Sequence, residues 1–231
     1  MKKYIFSFCL FIITCLSAQA QFNYRPFSVT LNTGAGFAFM DANQPDVNVN
    51  IGLSGDFHFS PFTYLSVGVN NGKFSRKSPD QYGRGFESNL TSFSGIINIS
   101  LGEITQPNWK YTRGLFDNTY VGVGVGVVRS SMSNFNLVAP DGKFGRVGGV
   151  KYAGTNIFIP VNIGANIKFF DSFKELKPLS LNINYQYDFT FTENIDGYNP
   201  SFDNKFSDAF GILTFGVRYS FGSSQNYSSY R

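Results

Sequence analysis

The stretch Phe27-Ser-Val-Thr-Leu-Asn-Thr-Gly-Ala-Gly-Phe-Ala-Phe39 places bulky apolar groups on odd-numbered positions and Ser, Thr, Asn or Gly on most even ones. A period of two is the mark of a strand whose faces meet different surroundings. The same alternation recurs along the chain and predicts eight strands, over 27–39, 47–59, 64–74, 91–101, 118–129, 155–169, 179–192 and 209–221. Within 27–39, 47–59, 65–69, 91–101, 119–127, 155–169, 179–191 and 209–221 no odd position is charged. All are apolar or aromatic except Thr33, Gly55, Thr91, Gly95, Thr119, Thr155 and Gly211. The even positions hold just Ala38, Ile96, Tyr120, Phe158, Phe210 and Ile212 from the apolar set.

Two architectures share this pattern: a soluble barrel or sandwich with its greasy face inside, and a membrane barrel turned inside out. The polar face separates them. It carries Ser, Asn, Thr and Gly with isolated charges at Asp56, His58, Lys168, Asp188 and Arg218, where a wet surface is usually rich in Lys and Glu. Short uncharged groups fit a narrow interior. Aromatics gather near strand ends, at Phe57, Phe59, Phe169, Tyr185 to Phe191, Tyr219 and Phe221, as girdles at two lipid–water interfaces would require. Backbone amides cannot stay unpaired in hydrocarbon, so the strands must close into a ring. The expected fold is an all-β, antiparallel up-and-down transmembrane barrel of eight strands, with ten as the alternative.

The rest of the sequence agrees. Of its 231 residues 42% are hydrophobic, 18% aromatic and 15% charged, which excludes a disordered or linker chain. Lys2 and Lys3, the apolar run Tyr4 to Leu16 and Ser17-Ala-Gln-Ala20 have the layout of a secretory signal peptide, expected as residues 1–20. Cleavage there leaves a barrel over 21–222 and a short polar tail over 223–231. A lipoprotein site at Cys15 is the alternative, disfavoured by the bulk of Thr14. Both cysteines, Cys9 and Cys15, fall in the segment removed, so no disulfide framework or thiolate metal site is expected. The formal charge of +4 falls by two with Lys2 and Lys3, and no nucleic-acid partner is expected.

Barrels of this kind have short turns on the periplasmic side and longer loops outside. Long loops are expected near 40–46, 75–90, 130–154 and 193–208, with tight turns at Ser60-Pro-Phe-Thr63 and between Asp171 and Pro178. The stretch Gly102 to Asp117, holding Trp109, is long for a turn; a ten-stranded barrel would use it together with 137–152.

With Phe215, Val217, Tyr219 and Phe221 closing the last alternating strand, the chain resembles the small eight-stranded outer-membrane barrels: the OmpA transmembrane domain, the OmpX-type proteins and the PorT-like barrels. That resemblance implies an outer-membrane location, a C-terminal strand read by the barrel-assembly machinery and, for PorT-like proteins, an accessory role in secretion or envelope assembly. The chain departs from it by running on past Gly222 to Arg231, and the peptidoglycan-binding domain of full-length OmpA, with its wall-anchoring role, is not expected.

Asp56 is expected to meet Arg218 or Lys168 in an interior polar plug, since a buried charge persists only when paired or hydrogen-bonded. His58 is the sole histidine. A hydrolase triad or a multi-histidine metal site therefore lacks raw material, and neither enzyme activity, metal nor cofactor is expected. The run Val121-Gly-Val-Gly-Val-Gly-Val127 departs from the dinucleotide fingerprint, which needs a third Gly at position 127 and a helix after it. It reads as a strand whose inward glycines give up volume to Phe158, Phe210 or Ile212, with Gly124→Ser expected to be mild. Lys73, Arg76, Lys77 and Arg84, with Lys143, Arg146 and Lys151, form basic outside loops suited to lipopolysaccharide phosphates. The last loop is acidic. The expected role is structural or envelope-interacting, with membrane lipid, lipopolysaccharide and envelope or secretion proteins as partners. The alternatives are a narrow channel, and a loop-mediated adhesin or lipid-acting enzyme.

Overall fold

The computed structural model describes residues 22–39, 46–76, 86–101, 118–135, 153–170, 176–191 and 209–227. They form ten strands: β1 (Phe22–Tyr24), β2 (Phe27–Phe39), β3 (Asn48–His58), β4 (Thr63–Arg76), β5 (Phe86–Ser100), β6 (Thr119–Phe135), β7 (Ala153–Phe170), β8 (Leu176–Thr190), β9 (Ala209–Phe221) and β10 (Gln225–Tyr227). Strands β2 to β9 make a closed antiparallel barrel, each pairing with its sequence neighbours. β9 returns to β2 in one unbroken register from Phe27↔Phe221 to Phe39↔Ala209. The ring is complete with eight strands, which replaces the ten-stranded alternative. Even β3, with 11 residues, reaches about 28 Å at 3.3 Å per residue and a 40° tilt, enough for a hydrocarbon core.

The faces divide as the alternation requires. Leu31, Val49, Val125 and Phe215 point outward and are more than half exposed, while Ser28, Thr30, Asn98, Ser130 and Asn182 are buried inside. At the end holding the tight turn, Phe27 packs on Phe57 and Phe221 with ring centroids 5.4 and 5.8 Å apart. At the other end Tyr187 packs on Phe39 and Phe189 at 5.4 and 4.6 Å. In the turn between β3 and β4, Ser60 Oγ accepts from the amides of Phe62 and Thr63 at 3.1 and 2.9 Å, a side-chain closure that needs no glycine.

Three features differ from the sequence expectation. The middle strands are longer: β5 begins at 86 rather than 91, β6 runs to 135 and β7 begins at 153. Their added outward residues, among them Asn89, Ser131 and Ala153, are polar or small, so the hydrophobic contrast stops where lipid stops although pairing continues. Secondly, the C-terminal tail is in part paired, for β10 joins β1 through Phe22↔Tyr227 to Tyr24↔Gln225. This ribbon continues the β2–β9 seam past a bend at Gly222, whose φ of +98° and 2.9 Å approach of a Cβ to Pro26 Cγ both exclude a larger residue without strain. Tyr24 Oη ties its two strands together, donating to Gln225 Oε1 at 2.8 Å.

Thirdly, Gly124 tolerates no side chain. A Cβ there would sit 2.1 Å from the carbonyl oxygen of Gly95, a backbone atom that cannot swing away. The β6–β7 ladder also skips Gly124 and Val125, opposite Pro160, which has no N–H to donate. Contrary to the sequence reading, Gly124→Ser is expected to cost about 1–3 kcal/mol through backbone displacement. Equilibrium urea unfolding in detergent would measure it, and a change within a few tenths of a kcal/mol would count against the close approach.

The expected signal segment 1–20, the 102–117 connection with Trp109, residues 171–175, the acidic 193–208 loop and 228–231 lie outside the described residues. So do Lys77, Arg84, Lys143, Arg146 and Lys151; Arg76 is the last residue of β4.

Candidate functional site: the barrel interior

The interior is built in two layers. Near the tight-turn end, strand register sets Ser28, Asp56 and Ser66 side by side across β2, β3 and β4. Ser28 Oγ donates to Asp56 Oδ2 at 2.8 Å and Ser66 Oγ to Asp56 Oδ1 at 2.5 Å. Arg218 Nη2 lies 3.2 Å from Asp56 Oδ2, and Arg218 Nε donates to Thr30 Oγ1 at 3.1 Å. Both charges are buried, so each depends on the other and on these hydroxyls. Arg218 also lies over the ring of Tyr64, 5.1 Å from its centroid. Tyr64 meets Tyr120 edge-on at 5.7 Å. Tyr120 Oη donates to Asn184 Oδ1 at 3.1 Å and accepts from Asn182 Nδ2 at 2.9 Å. One network thus runs from β2 through β3, β4 and β9 to β6 and β8.

Of the five interior charges singled out from sequence, the structure joins Asp56 and Arg218. His58 borders them, half-buried, its ring stacked 4.8 Å from that of Tyr64 and its Nε2 3.2 Å from Ser28 Oγ. Lys168 lies at the same end of β7, opposite Ser180. Asp188 is elsewhere, fully buried near the loop end, where Gln186 Nε2 donates to both of its oxygens at 2.8 and 3.1 Å. Ser28, His58 and Asp56 are the residue types of a catalytic triad in a different arrangement. The serine donates directly to the carboxylate, so its proton is already committed and the imidazole does not stand between them. Among the described residues there is no cluster of three His, Cys, Asp or Glu that could hold a metal.

Tyr64, Phe74, Leu90, Val128 and Met132 are buried interior residues that the sequence pattern does not single out. All sit at even positions and point inward with the rest; on β4, Tyr64 and Phe74 stand at the two ends of the expected strand, where polar Asn71 and Lys73 interrupt the outward apolar series. Phe74 belongs to the second layer, toward the loop end, where it meets Phe210 at 5.5 Å and Phe210 meets Phe158 at 6.0 Å. All three are buried. Phe158 fits because Gly126 has no Cβ, which would lie 2.4 Å from the Phe158 ring. Between the layers is a cavity of about 60 Å³ floored by Tyr64, Tyr120 and Arg218, roofed by Ile96 and Ile212 and walled by asparagines. It has room for about four or five waters, at one probe sphere each. The expected assembly residues Phe215, Val217, Tyr219 and Phe221 all point outward from β9 and are exposed.

A closed antiparallel ring, apolar outside and polar inside, with its lumen filled by side chains, defines an eight-stranded transmembrane β-barrel. No protein-family model and no curated protein matches the sequence. Among solved structures, Neisserial surface protein A (NspA) is similar over 85% of this chain and 97% of its own, at 14% identity and a TM-score of 0.51. Ail, the attachment invasion locus protein of Yersinia pestis, aligns over 86% and 99% at 9% identity and 0.44. The N-terminal β-barrel domain of Pseudomonas aeruginosa OprF aligns over 87% and 100% at 14% and 0.35. The likeness to NspA is one of fold: the small eight-stranded outer-membrane barrel.

Proposed function

We propose that this chain is an integral outer-membrane protein with a structural or envelope-interacting role, its tight-turn end periplasmic and its loops outside, and that it is neither a conduit nor an enzyme. The observation that carries this reading is the packing of side chains across the lumen in two layers, Asp56–Arg218–Tyr64 and Phe74–Phe158–Phe210, with a cavity of about 60 Å³ beside the first. An ion entering either end would have to leave its water at a packed layer. The committed proton of Ser28 supports a non-enzymatic reading. The resemblance to PorT-like barrels supports an accessory part in secretion or assembly, and the loops are where a specific partner would bind.

Planar-bilayer recording tests the closure. The wild-type barrel is expected to give no steady single-channel steps. Arg218→Ala alone is expected to give none either, because the phenylalanine layer remains, whereas Arg218→Ala combined with Phe158→Ala and Phe210→Ala opens both. Steady steps from the wild type would overturn this reading in favour of a narrow channel. Site-specific crosslinking from the loops in intact envelopes would identify a partner.

A further inference from the structure

The barrel wall carries outward-facing cations just beyond the hydrophobic windows, and one of them, at the loop end, forms no ion pair among the described residues. On β6 the outward series Val121, Val123, Val125, Val127 gives way to Arg129 and then Ser131. Register places Asn71, Thr91, Arg129 and Thr155 in one row across β4, β5, β6 and β7. All four are exposed, and the outward residues one step nearer the turn end, Val69, Phe93, Val127 and Ile157, are apolar and exposed. The row therefore marks the passage from hydrocarbon to headgroups. Among the described residues Arg129 forms no ion pair, whereas Lys73, one step further out on β4, is bridged to Glu87. Asn71 Nδ2 donates to Thr91 Oγ1 at 2.8 Å, which leaves the Thr91 hydroxyl hydrogen to donate outward. Cβ atoms directly opposite on paired strands are about 5 Å apart, so the hydroxyls of Thr91 and Thr155 flank the Arg129 stem within reach of one group.

We propose that Arg129, with Thr91 and Thr155, is a binding site on the barrel wall for the phosphate of a membrane lipid in the loop-end leaflet. A guanidinium presents a planar fork that takes two phosphate oxygens at once, and the hydroxyls supply further donors to the same anion. Register sets Arg129 next to the outward pair Val127 and Phe93, so its aliphatic stem can cover apolar surface where the lipid's own chains would run. The inference rests on the outer-membrane reading, in which that leaflet carries lipopolysaccharide, and it assigns the phosphate to the wall and not to the loops.

The test is native mass spectrometry of the full folded chain in micelles doped with lipid A. The wild type is expected to retain one lipid A. Arg129→Gln should weaken retention about tenfold, the loss of one charged hydrogen-bonded pair. Lys177→Gln, which removes the exposed cation at the opposite end of the wall, should leave it unchanged. Arg129→Lys keeps the charge and loses the fork; it should weaken binding several-fold and serves if the glutamine variant does not fold. Equal retention by either Arg129 variant, equal loss with Lys177→Gln, or displacement of the lipid by millimolar inorganic phosphate would overturn the proposal. Insertion of the wild type into phosphatidylcholine vesicles, read by its heat-dependent gel shift, tests the membrane reading separately.

Discussion

Arg218→Ala is expected to lower the free energy of unfolding by about 3–5 kcal/mol, the usual cost of stranding one partner of a buried ion pair. Asp56 would then keep Ser28 and Ser66 as donors but lose the guanidinium that stands 3.2 Å from its Oδ2. The guanidinium also covers the Tyr64 ring and donates to Thr30, so its removal leaves a gap beneath the cavity as well as an unbalanced carboxylate. If the charge is what matters, Asp56→Asn in the Arg218→Ala background should recover part of the loss. The coupling between the two substitutions would then exceed about 1 kcal/mol. Equilibrium unfolding in urea, followed by tryptophan fluorescence and gel mobility, would measure both. Strict additivity, or a single-variant loss below about 1 kcal/mol, would mean that the layer is held by packing and hydroxyls and that the pair is incidental.

The fold was legible because a membrane barrel asks little of each residue beyond which of two solvents it faces. The alternation from Phe27 to Phe39 already contains that answer, and β9 repeats it in register. Strand ends were less legible for the same reason. Hydrophobic contrast reports the lipid, so it fades near 129 and returns near 155, while backbone pairing runs on through Ser131↔Ala153. Within the site, the need for a partner to Asp56 followed from burial alone, but the choice of Arg218 over Lys168 depends on how far the strands are staggered, which no single strand encodes. Tyr64 stands at the first even position of β4, beside the turn, where one residue cannot show a period. The β1–β10 ribbon had no signal to find. Phe22-Asn-Tyr24 and Gln225-Asn-Tyr227 are too short to show a period, and they pair because the seam beside them has already brought them together.

Val123→Arg tests the assignment of the faces directly, with an expected cost of about 2–4 kcal/mol and poor assembly into vesicles. Val123 stands midway along the outward valine series of β6 and is 57% exposed, so in water a charge there would be harmless or favourable. In hydrocarbon the guanidinium must shed its hydration or pull headgroups toward it, and the cost depends on depth. That dependence supplies the control. Arg at Ser131, two positions past Arg129 on the same outward row, should cost about 0–1 kcal/mol, because the chain there has left the apolar band. Folding into vesicles, followed by the gel shift and by urea titration, gives both values. A graded penalty, large at 123 and small at 131, places the apolar face in lipid and sets its upper edge near Arg129. Equal tolerance at the two positions would put that face against water or protein, and the ring of side chains inside the barrel would then need another explanation.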